Sequence, residues 1–62
     1  MFDFLFELTE YSENEGEQIL VECDTIKEAY EILAHYGFNR NEVQYIEKMS
    51  VEEGEMLGLD TY

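Results

Sequence analysis

The 62-residue chain has no proline and no tryptophan, one histidine, one cysteine and only three basic residues. Each shortage excludes something. A single cysteine, Cys23, cannot close an internal disulfide, and without a second one neither a zinc ribbon nor a C-x-x-C redox pair can be built. The single histidine, His35, has no imidazole or thiol companion with which to form a metal centre or a nucleophilic triad. Three cations cannot supply the basic stripe that tracks a nucleic-acid backbone or the polybasic patch that adheres to anionic lipid, so direct contact with nucleic acid or membrane is not expected. No G-x-x-x-x-G-K-S/T or G-x-G-x-x-G run is present, which removes phosphate-cradling loops. The opening MFDFLFELTE is apolar but lacks a basic leader and is interrupted at Asp3 and Glu7. It therefore predicts neither export nor a membrane span, and the expected location is the cytoplasm.

What the chain has in excess is negative charge. Sixteen Asp and Glu against three basic residues give a formal charge of −13. At this density self-repulsion opposes compaction, and the long-range field favours cationic partners. Apolar residues at 45% and aromatics at 15% nevertheless provide an ordinary core, which separates the chain from acidic disordered segments. At this length residues 1–62 form one domain, which removes only about 60% of its unfolded surface from water.

The local patterns predict an α+β domain of order ββαβ(α). Phe2, Phe4, Phe6 and Leu8 alternate with period two, giving a strand from Phe2 to about Tyr11 with those side chains on the core face. Ser12 to Glu17 is polar, carries Asn14 and Gly16, and reads as a hairpin loop. Gln18 to Cys23 returns as a second strand with Ile19, Val21 and Cys23 inward. Thr25 and Glu28 have capping-box spacing, and Ile26, Ala29, Tyr30 and Leu33 follow on one helical stripe. Gly37 then stands at the left-handed position of a Schellman ending, with Phe38 placed to contact Leu33.

Past a turn at Asn39 to Asn41, Val43 to Met49 has strand character. Val43, Tyr45 and Met49 are expected on the core face and Ile46 on the other. Ser50 and Glu53 repeat the capping-box spacing, and a short helix from about Val51 to Leu57 ends at Gly58. The first helix should lie across one face of a three-stranded, mainly antiparallel sheet of order 2-1-3, with 1-2-3 containing a parallel pair as the alternative.

No residue set predicts catalysis, and no cofactor or metal site is expected. Cys23 reads as a packed small hydrophobe and His35 as an exposed residue favoured by the helix dipole. Glu13 to Glu17 lacks the alternating ligand spacing and distant Glu of a calcium loop. An acid–base carboxylate pair needs a pocket that separates two pKa values, for which a domain this small has little room.

The acids themselves fall into three groups. Asp24, Glu28 and Glu31 are spaced to form one row on the helix, about 5–6 Å between neighbouring Cβ atoms. Glu13, Glu15 and Glu17 would repeat every ~6.8 Å along one side of the hairpin if its arms extend that far. Glu52, Glu53 and Glu55 form the third group. Such rows resemble the electrostatic outline of a nucleic-acid backbone. The expected function is non-enzymatic binding to a basic protein surface, that of a DNA- or RNA-binding protein, as nucleic-acid mimics encoded by phages and mobile elements do. The plain alternative is a solvated, solubilising surface.

A separate apolar patch is expected on the second sheet face, where Leu5, Leu20 and Ile46 point away from the first helix. Either the C-terminal segment, through Val51, Met56, Leu57 and Leu59, covers it, or it is an interface for a homodimer or partner.

Overall fold

The computed structural model describes Met1–Tyr62. Strands β1 (Phe2–Leu8) and β2 (Gln18–Cys23) form a hairpin, helix α1 (Ile26–His35) follows, and a 3-10 turn at Arg40–Glu42 leads into β3 (Val43–Ser50) and helix α2 (Val51–Leu57). The sheet is antiparallel throughout with order β2-β1-β3. This is the α+β arrangement that the patterning predicts, with the central strand supplied by the aromatic N-terminal segment.

Both helices begin where their caps dictate. The Thr25 hydroxyl oxygen accepts the Glu28 amide at 3.2 Å, and the Ser50 hydroxyl oxygen accepts the Glu53 amide at 3.2 Å. Each satisfies one of the donors left free in a first helical turn. At the far end of α1, Gly37 takes φ +95°. The Phe38 amide donates to Leu33 and the Gly37 amide to Ala34, each at 3.0 Å, which are the two bonds of a Schellman ending.

β1 is shorter than the alternation suggests, ending at Leu8 rather than near Tyr11. The hairpin closes there: the Leu8 amide donates to Glu17 and the Gly16 amide to Leu8, both at 2.8 Å. Thr9 is drawn away by the turn before β3, its amide donating to the Glu42 carbonyl and its hydroxyl to that of Asn41. Residues 9–17 are therefore loop and turn.

The phase of β3 changes midway. Phe6 opposes Tyr45 but Leu5 opposes Glu47, so Ile46 is an extra residue forming a bulge. Before the bulge, Val43 and Tyr45 share the face of Leu8 and Phe6; after it, Met49 pairs with Asp3 on the opposite face. Val43, Tyr45 and Met49 thus do not share one core face. Val43 and Met49 are buried on opposite sides, and Tyr45 is 40% exposed, flanking the Phe4 and Phe6 rings.

Two cores result. Phe4, Phe6, Leu8, Ile19, Val21 and Cys23 pack beneath Ala29 and Leu33 of α1. Ile26, at the start of the predicted stripe, is 37% exposed, and Phe2 at the strand's open end is 38% exposed. On the other face Leu5, Leu20 and Met49 form a smaller cluster covered by Leu59. The segment after α2 then lies along the outer edge of β2, parallel to it, with Leu20 bridged to Thr61. Three main-chain bonds hold it: Leu20 N–H to Asp60 at 2.9 Å, Tyr62 N–H to Leu20 at 2.8 Å and Glu22 N–H to Tyr62 at 3.0 Å. No helix is long and apolar enough to cross a membrane.

Candidate partner-binding surface

Because α1 and α2 pack on opposite faces of the sheet, the acids they carry cannot form one row. Glu28 and Glu31 are exposed on the α1 side, while Glu52, Glu53 and Glu55 are exposed on α2. Asp24 precedes α1 and pairs with the Met1 amino group at 3.3 Å. The expected row of Asp24, Glu28 and Glu31 is thus reduced to its two helical members. The hairpin row of Glu13, Glu15 and Glu17 is also not built, since these residues lie in the turn beyond the ladder, where side chains do not alternate.

Some of the acids have local structural duties. The Glu28 carboxylate accepts from the Thr25 hydroxyl and that of Glu53 from the Ser50 hydroxyl, both at 3.3 Å. Glu42 accepts the Asn39 amide at 3.0 Å. Glu13, Glu15, Glu17, Glu31, Glu52 and Glu55 are exposed, and none has such a duty.

Where the cations go decides how the acids should be read. Arg40 places its guanidinium carbon 3.9 Å from the centre of the Tyr30 ring, and Lys48 its ammonium nitrogen 4.4 Å from that of Phe2. None of Lys27, Arg40 and Lys48 forms an ion pair, and the Met1–Asp24 contact is the sole one in the molecule. Beyond that contact no carboxylate has a cation within ion-pairing distance. No family model, curated protein or solved structure matches the chain. Its surface must be read from its own chemistry.

The apolar set Leu5, Leu20 and Ile46 is not assembled as an exposed patch. Leu5 and Leu20 are 7% and 1% exposed beneath Leu59, whereas the bulged Ile46 is 42% exposed and lies outside that cluster. Of the C-terminal residues expected to cover the face, Leu59 does so, while Met56 is 88% exposed. No group of three or more His, Cys, Asp or Glu is placed to hold a metal. Cys23 is buried and donates its thiol hydrogen to the Thr25 carbonyl at 3.3 Å; burial foremost pushes its pKa up, which keeps it a thiol.

One acid escapes the sequence pattern altogether. Asp3 alternates with the aromatic face of β1 and so turns toward α2, where it is only 2% exposed and its Oδ1 has no hydrogen-bond partner. Gly54, the buried residue of α2, packs directly on its carboxyl group. The sequence did hold a signal for this contact: a glycine inside a short helix is unfavourable unless something needs its missing Cβ.

Burial, then the negative charges of Glu22 and Glu55, hold the Asp3 carboxyl above its ordinary 3.8. The folded chain consequently binds this proton more tightly than the unfolded chain. The stability that Asp3 contributes is fully present below about pH 3.8 and is lost as pH rises through its elevated folded-state value. Asp3→Asn is expected to raise stability at pH 7, because it removes a buried charge that faces Glu22 and Glu55, and to change stability little below pH 3.8, where the carboxyl is already neutral. Urea denaturation at the two pH values checks this; equal effects at both would assign the change to packing rather than to charge.

Proposed function

We propose that the protein is a non-enzymatic, acidic binding module that engages the basic surface of another protein, with a DNA- or RNA-binding protein as the partner class that its charge favours. The observation that carries this reading is the pairing pattern: the side-chain cations rest on aromatic rings or stand unpaired, and one ion pair serves sixteen Asp and Glu. An acidic surface of this kind also serves solubility, but its self-repulsion opposes the compact state. Here the repulsion within the folded chain is left in place, and a cationic partner relieves it.

Acids on both faces of the sheet and in the hairpin loop favour a partner that surrounds the domain, such as the walls of a basic groove, over one that meets a single flat face. Interactions of this kind raise association rates and decay with ionic strength. Capture on the immobilised chain from the native host lysate is expected to yield a basic, nucleic-acid-binding protein at low salt and to release it at high salt. A captured partner that stays bound in ~1 M salt, where the Debye length is about 3 Å, would count against the reading.

A further inference from the structure

We propose that the groove between α1 and the C-terminal segment receives an arginine side chain presented by the partner, a proposal that rests on the reading of this domain as a binder of basic surfaces. The groove is shallow and open to solvent, with a volume of about 470 Å³, and is lined by Glu22, Glu28, Glu31, Ile32, His35, Tyr36 and Tyr62. This is within the size range of ligand clefts, about 300–1,000 Å³. It exists because the chain after α2 pairs with β2: the Glu22 amide donates to the Tyr62 carbonyl, bringing that residue beside the exposed flank of the helix.

Its walls are of two kinds. Tyr36 and Tyr62 meet edge to face with ring centres 5.0 Å apart, and Tyr36, whose ring also meets that of His35 at 5.7 Å, remains 59% exposed. Beside these rings Glu28 and Glu31 of α1 line the groove, with Glu22 of β2, whose side chain belongs to the face of Asp3, as a third lining residue. Glu28 is engaged in part by Thr25, while Glu22 and Glu31 are exposed and make no side-chain hydrogen bond. An apolar ligand would leave the carboxylates facing it, and an anion would be repelled.

A guanidinium suits both walls, since its plane lies on a ring face while its N–H groups reach carboxylates in pairs; an ammonium satisfies the charge but not the stacking. The molecule already uses this chemistry once, in the stacking of Arg40 on Tyr30.

Titration of the isotope-labelled full chain with Nα-acetylarginine amide at low salt, followed by amide chemical shifts, tests the site. Saturable shifts confined to the last two turns of α1, Glu22 and Tyr62 are expected. Tyr36→Ala should weaken binding roughly threefold, Glu31→Gln should weaken it as well, and Tyr36→Phe should retain it. Glu52→Gln, on the opposite helix, should have no effect, and the same spectra report whether each variant is folded. Shifts spread over all the acidic segments, or binding indifferent to Tyr36→Ala, would overturn the groove. A hexa-arginine peptide measured in parallel separates the two ideas. Salt-sensitive binding of that peptide without a localised response to the amide overturns the groove alone, and failure of both probes overturns the reading of the domain as well.

Discussion

Ending the chain after Gly58 is expected to destabilise the domain by a net ~1–2 kcal/mol. The removed residues provide three main-chain bonds to β2, the Leu59 side chain over Leu5, Leu20 and Met49, and the Tyr62 ring against Phe38 and the α1 core. Hydrogen bonds contribute about 0.5–1.5 kcal/mol each and a buried large side chain about 1.5–3 kcal/mol. Ordering four residues offsets much of this, at about 1–2 kcal/mol per residue. A domain of this length has a total stability of only about 3–9 kcal/mol, so the loss would leave a large fraction unfolded on mild heating. Urea denaturation measures the loss, and a hydrophobic dye should report the uncovered leucines. An unchanged midpoint would mean that the segment is an ornament on a sheet already complete without it.

The second large effect concerns Gly54 and reverses an ordinary expectation. Replacing a glycine inside a helix by alanine normally stabilises by about 1 kcal/mol. At this position the new Cβ would overlap Asp3 Oδ2 and lie 2.7 Å from its Cγ and 2.9 Å from its Cβ. Neither partner can retreat easily, because Asp3 sits on the central strand between β2 and β3. Gly54→Ala should therefore cost about 1–3 kcal/mol, in the range of overpacked cores. In an Asp3→Ala background the same substitution should cost about 1–2 kcal/mol less, a coupling that a double-mutant cycle isolates. Stabilisation by Gly54→Ala in the otherwise unchanged chain would show that α2 can lift from the sheet freely.

These two sites also mark where the sequence stopped being legible. Thr25 with Glu28, Ser50 with Glu53, and the stop glycines Gly37 and Gly58 are local chemistry, and the helices they bound form as the spacing predicts. The alternation of Phe4, Phe6 and Leu8 likewise placed β1 against α1. What escaped depends on tertiary geometry. The bulge at Ile46 moves Met49 to the other face without any glycine or proline to mark it. Pairing of Asp60–Tyr62 with β2 runs through backbone groups, which leave no pattern in side-chain type.

The candidate surface was legible in composition and less so in arrangement. The acids could be grouped from the sequence, but a group in sequence becomes a row only if its backbone is regular. Glu28 and Glu31 lie on a regular helix and stay together, whereas Glu13, Glu15 and Glu17 depend on a ladder that ends at Leu8. The groove that Glu22, Glu28 and Glu31 line exists only after the tail has docked. Arg40 and Lys48 sit over the Tyr30 and Phe2 rings rather than against carboxylates.

The most direct test of the proposal that unpaired carboxylates are the working surface is a competition between the domain and duplex DNA for the partner captured from the lysate, repeated across a salt series. Mutually exclusive binding is expected, with the logarithm of the affinity falling linearly and steeply against the logarithm of salt concentration. A ternary complex in which DNA and the domain occupy the partner together, with an affinity flat across the series, would contradict it.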